Sequence, residues 1–156
     1  MALPDDQINS LTLRWANGNA SAAEFLQNIC HCARLADDIV DGDSSDPAKD
    51  MFNLLNRAFV TNSNNEFFNQ HKETLCVAIM TSLAMWLKSE EWRNSSNRKT
   101  RMFGFVYREG IDHCAWVVAS LVKGPVHALR VIEELHAISH EGDDESFEDW
   151  ESEETT

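Results

Sequence analysis

The sequence predicts an all-α protein, a single-domain bundle of about six helices, and three observations carry that prediction. Apolar residues recur at three- and four-residue spacing along most of the chain, and no segment alternates apolar and polar residues as a strand does. Clusters of Asn, Ser, Gly and Pro punctuate the pattern at intervals that suit helix ends. At 156 residues the chain is also long enough to bury a real core.

The elements follow in order. Pro4 with Asp5 and Asp6 opens a first helix that runs to Asn17, with Ile8, Leu11 and Trp15 on one face. Asn17-Gly18-Asn19 stops it. Ser21 is expected to cap a second helix, 21–41, with Glu24 in the capping-box position. Gly42 to Asp46 reads as a turn, and Pro47 suits the first turn of a third helix, 47–60. After the polar break 61–65 comes a long helix, about 65–92, carrying Phe67, Phe68, Leu75, Ile79, Leu83, Trp86 and Leu87. It is apolar nearly all round beyond Leu75, which predicts a central position. Asn94-Ser95-Ser96-Asn97 separates it from a fifth helix, about 98–123, equally apolar past Ile111. Lys123-Gly124-Pro125 ends that helix and starts a sixth, 125–140. The two long helices, 65–92 and 98–123, are expected to pack together as the core. The bundle domain is thus 1–140.

Residues 141–156 differ from the rest. They hold nine of the 26 acidic residues and no Lys or Arg, whereas the remainder carries a net charge of only −4 out of −13. High charge and few aliphatics predict a disordered tail, with Phe147 and Trp150 able to dock into a basic, apolar groove on a protein partner. With no basic stripe to release counterions, direct nucleic-acid binding is not expected. Pro4, Asp5 and Asp6 argue against a secretory signal, and no apolar run reaches transmembrane length. Cys30, Cys32, Cys76 and Cys114 show no C-x-x-C spacing and lie in apolar helical segments. They read as small core residues of a reducing, cytoplasmic compartment.

One segment reads as chemistry. Asp37, Asp38 and Asp41 form a D-D-x-x-D cluster at the end of helix 21–41. Asp37 and Asp41 are four residues apart, so their Cβ atoms share a helix face at about 5–6 Å. Asp37 falls within the apolar arc, between Leu26 and Cys30, with Asp41 at its edge. A carboxylate aimed at a core needs a cation, a hydrogen bond or a proton, and oxygen-only ligation suits Mg²⁺. The plain alternative is a solvated helix end, with Arg34 pairing Asp37 and Asp38 from one turn away. Carboxylates in the last turn oppose the helix dipole at roughly 0.3–1 kcal/mol each, which favours a compensating cation.

The stretch Cys-Ala-Arg-Leu-Ala-Asp-Asp-Ile-Val-Asp, residues 32–41, resembles the first aspartate-rich motif of the squalene/phytoene synthase branch of the isoprenoid synthases. The resemblance implies Mg²⁺ held by Asp37 and Asp41 with Asp38 supporting, Arg34 nearby, and a prenyl diphosphate bound in an all-α cavity. The second aspartate-rich helix of that family, of D-x-x-x-D type, has no convincing counterpart, and no obvious basic set exists to hold two diphosphates. A diphosphate-binding protein is therefore a better expectation than a full condensing enzyme.

Other groups are weaker. Glu109 and Asp112 are candidate catalytic residues, because Asp112 shares a stripe with Phe105, Trp116 and Ala119. With His113 they could face Asp37 and Asp41 across the bundle. The alternative is intrahelical pairing, Arg108 with Asp112 and Glu109 with His113. Glu133-x-x-His136 is half of a di-iron motif with no second copy, and His136 and His140 suit a helix C-terminus. Two further functions remain open. One is a non-enzymatic acidic interaction protein, an inhibitor or adaptor. The other is an all-α nucleotide pyrophosphohydrolase, for which only Glu109-x-x-Asp112 fits the usual pattern. An exposed Phe105/Trp116 face would indicate a homodimer.

Overall fold

The computed structural model describes residues 5–140 and 146–152, and every regular element among them is helical. The helices are α1 (Asp5–Trp15), α2 (Ala20–Val40), α3 (Pro47–Asn56), α4 (Asn62–Asn64), α5 (Glu66–Gln70), α6 (Lys72–Arg93), α7 (Arg98–Tyr107), α8 (Asp112–Lys123), α9 (Pro125–His140) and α10 (Phe147–Ser152). A π turn, Arg57–Thr61, joins α3 to α4, and a 3₁₀ turn, Arg108–Ile111, joins α7 to α8. Contacts gather in two compact units, Ala2–Leu75 and Cys76–Thr156.

The first unit is built around α2, which touches α1, α3, the π turn and α5. Asn17 and Gly18 turn the chain out of α1 with φ of 50° and 80°, and the Gly18 N–H donates to the Leu13 carbonyl at 2.9 Å. That is the six-residue closure that satisfies helix-end carbonyls. Asn19, not Ser21, caps α2, its side chain accepting from the Ala22 N–H at 3.0 Å. Ser21 is instead the second residue of the helix, where its hydroxyl accepts from the Phe67 N–H at 2.9 Å. Asn65 donates to the Ser21 carbonyl and caps α5 by accepting from Phe68. The two phenylalanines of α5 are thereby seated on α2, with the Phe25 and Phe68 rings stacked at 5.8 Å. Phe25 is fully buried, worth about 1.5–3 kcal/mol relative to exposure.

The second unit pairs α6 with α7 and α8 in antiparallel register. Ser82 meets Cys114, Met85 meets Gly110, and Ser89 and Trp92 meet Gly104. The two long helical stretches therefore pack together as the sequence predicts. Each carries an interruption that helical periodicity does not report: His71 breaks the first, and the 3₁₀ turn tightens the second. Gly124, at φ 86°, ends α8, and Pro125 starts α9 back along it.

Two expectations are corrected here. Helix α6 is not central on all sides: Leu75, Ala78, Ser82 and Ser89 are buried, while Val77, Met80, Leu83 and Leu87 are half to two-thirds exposed. Nor is the acidic segment structureless throughout. Phe147–Ser152 is helical and packs on α7, because Trp150 finds a buried seat at 1% exposure. The remaining tail residues, 141–145 and 153–156, lie outside the described residues.

Candidate functional site

The aspartate cluster closes α2. The Asp41 N–H donates to the Asp37 carbonyl at 2.9 Å, Gly42 adopts φ 78°, and the Ser44 N–H returns to the Asp38 carbonyl at 3.0 Å. Asp37 and Asp41 are exposed, and Asp38 and Arg34 are half-buried. The expectation that Asp37 points at the core therefore fails. Full burial along α2 ends at Ile29, and the residues beyond it that α3 accompanies are no more than half-buried. Among the described residues, no three His, Cys, Asp or Glu side chains converge as a metal site. The last turn of α2 contains no basic residue.

The second candidate group lies in the other unit. Glu109 accepts from Arg108 Nε at 3.1 Å, and the Arg108 guanidinium also sits over the Phe105 ring at 5.2 Å. The Glu109 contact is with its immediate neighbour in the chain. His113 stacks on Trp116 with centroids 4.8 Å apart. Asp112 stands where α8 begins, and its carboxyl is pushed up to about 7, first by burial and then by the Glu109 charge. Next to it the Cys114 thiol is also raised, mainly by burial, with the Ser82 hydroxyl acting in the opposite direction. Glu133 and His136 are exposed on α9. The His140 side chain lies outside the described residues.

Two features had no place among the sequence-derived candidates. The first is a polar groove of about 550 Å³ in the Ala2–Leu75 unit, bordered by Glu24, His31, Arg57, Thr61 and Asn64. Its floor is an amide network. Asn28, 4% exposed, donates to Asn62 Oδ1 at 2.7 Å and to the Arg57 carbonyl at 3.2 Å, and accepts from the Arg57 guanidinium at 3.2 Å. The Arg57 carbonyl also accepts the Asn62 N–H across the π turn. Asn28 thus holds the irregular backbone in place, a structural use that accounts for a buried amide. The signal was an Asn inside the buried run Phe25–Ile29.

The second feature is the uncovered face of α6. Cys76, Val77, Met80, Leu83, Ala84 and Leu87 share one arc and are all exposed. The stripe runs twelve residues, about 18 Å. It has no charged residue between Glu73 and the exposed Lys88–Glu91 ion pair. Its signal is the all-round apolarity of the helix, which a central helix and one with an unpartnered apolar face share.

A comparison with known protein families, with curated proteins and with solved structures finds no match for this chain.

Proposed function

We propose that this chain is a non-enzymatic helical interaction protein whose α6 face pairs with the same face of a second copy. The carrying observation is the exposed, uncharged stripe Val77, Met80, Leu83 and Leu87. Contiguous apolar surface rimmed by polar residues marks protein–protein contact. The chain carries a net charge of −13, so two copies repel least where they meet through an uncharged face. Cys76 and Ala84 in the same arc are small, which lets two backbones approach. A two-fold contact of one patch with itself is also the commonest way proteins close an assembly.

The test is light scattering on the intact chain and on Met80→Lys/Leu87→Lys. Both side chains are exposed, so the variant should keep its helix content. A dimer that becomes a monomer in the variant supports the reading; a wild-type chain that stays monomeric at high concentration overturns it.

A second reading rests on the resemblance at residues 32–41. Asp37 and Asp38 lie in the last turn of α2 and Asp41 is its C-cap, and Asp37 and Asp41 are exposed. On this reading they bind Mg²⁺ and a prenyl or other diphosphate, with Arg34 close to the anion, and condensation is not efficient. Mg²⁺ with farnesyl diphosphate should then raise the melting temperature, because a ligand bound only by the folded state stabilises it. Asp37→Asn/Asp41→Asn should abolish the rise. No shift at millimolar Mg²⁺, with or without the diphosphate, removes this reading.

A further inference from the structure

The α10 segment is a short ligand that the chain supplies to itself. Phe147 meets Phe105 edge-on at 5.7 Å, and Trp150 packs on Phe105 at 5.6 Å. Gly104 makes the seat: a Cβ there would lie 3.0 Å from Trp150 Cη2 and 3.2 Å from the Ser89 carbonyl oxygen. Arginines surround the aromatics. The Arg93 guanidinium lies 4.7 Å from the Trp150 ring, and that of Arg98 lies 5.1 Å from the Phe147 ring. Arg98 pairs with Glu148 at 3.2 Å, and Arg101 pairs with Glu151 while donating to the Ser95 carbonyl at 2.6 Å. The recognition is therefore aromatic at the centre and acidic on basic at the rim.

Three observations make this occupant exchangeable. It is six residues long, far below the length at which an isolated helix holds itself together. The Arg98–Glu148 pair is 59% and 70% exposed, which makes it a weak contributor. Trp150 buries its ring but leaves Nε1 without a hydrogen-bond partner among the described residues, and an unmade buried hydrogen bond opposes docking.

The seat is also larger than its occupant. Beside α10 an apolar groove of about 470 Å³ continues along α7, lined by Arg98, Lys99, Met102, Phe103 and Val106. Met102, Phe103 and Val106 are 47%, 50% and 63% exposed. At 1.5 Å per residue, α10 spans about 9 Å and α7 about 15 Å, so a longer helix would cover what α10 leaves open.

We propose that this face of α7 is a receptor groove for an acidic helix of a partner protein, one carrying two aromatic side chains about one turn apart, and that α10 is its resident, displaceable ligand. Charge complementarity selects that occupant, since Arg98, Lys99 and Arg101 form the basic rim of a protein that is otherwise acidic. This surface is distinct from the α6 stripe, and the claim stands or falls separately from dimerisation.

The probe is a labelled peptide copying residues 146–152, Ser-Phe-Glu-Asp-Trp-Glu-Ser, with capped ends. It is titrated by fluorescence anisotropy against the full chain and against full-chain Phe147→Ala/Trp150→Ala, which empties the seat. The emptied variant should bind it roughly tenfold or more tightly than the wild type does. Adding Arg98→Glu/Arg101→Glu should remove the binding, and salt should weaken it. A second vacating variant, Glu148→Lys/Glu151→Lys, keeps the aromatics and repels the rim, so the comparison survives if the alanine variant misfolds. Equal binding to wild-type and vacated chains, or no binding to a vacated chain of unchanged circular dichroism, overturns the proposal. A dimer lost in Met80→Lys/Leu87→Lys has no bearing on it.

Discussion

At the scale of single residues, Asp112 is the group whose surroundings most conflict with its chemistry. A carboxyl held at about 7 instead of 3.8 keeps its proton in the folded state while the unfolded chain releases it. Stability must therefore fall as pH rises from about 4 to about 7, and stay level above that. At about 1.4 kcal/mol per unit over about three units, the loss by pH 8 is on the order of 4 kcal/mol. Asp112→Asn removes the charge and keeps the shape. Thermal unfolding should show it more stable than wild type at pH 8 and nearly equal at pH 4; equal effects at both pH values would disprove the assignment. Sequence pattern could find Asp112, because it shares a stripe with Phe105, Trp116 and Ala119 that the fold does partly bury. The same reasoning failed for Asp37. Periodicity places a residue on an arc but says nothing about how far along the helix a neighbour covers that arc, and on α2 full burial stops at Ile29.

At the scale of elements, helix existence was legible because Asn, Pro and Gly mark the ends. Asn97 caps α7 by accepting from the Lys99 N–H at 3.0 Å, Asp46 caps α3 at 3.1 Å, and Gly124 ends α8. The internal irregularities were not legible, since a π turn or a 3₁₀ turn shifts the apolar spacing by a single residue. Of these, the 3₁₀ turn has a clear packing cause. A Cβ at Gly110 would lie 2.7 Å from Met85 Cβ, so glycine is what lets the turn rest on α6. Gly110→Ala must push those backbones apart. Overpacking of this kind costs about 1–3 kcal/mol, measurable as a lower denaturant midpoint. The double variant Gly110→Ala/Met85→Gly would recover little, because glycine in the middle of α6 costs about 1 kcal/mol itself. A wild-type midpoint for Gly110→Ala would mean the contact is looser than the geometry states. The docked α10 was half legible: the alternation of acids with Phe147 and Trp150 named the chemistry of its seat, but not that α7 of the same chain provides it.

At the scale of the whole molecule, net charge decides how the two proposed surfaces respond to ions. Pairing two chains of −13 each brings like charge together, while the α6 stripe contributes no charge of its own. Exposed charges are screened within about 8 Å at physiological ionic strength and about 30 Å at 0.01 M. Dimerisation through α6 should therefore strengthen as salt rises from low to physiological levels. Docking of an acidic helix against Arg98 and Arg101 depends on attraction and should weaken over the same range. Opposite salt responses separate the surfaces without any mutation. Dimerisation also makes the melting temperature rise with protein concentration, because the partner binds only the folded state. Sedimentation at two salt concentrations, with melting curves at two protein concentrations, tests both statements. Dimer content that falls with salt would mean the contact is held by charge, and the uncharged α6 stripe would then not be the interface.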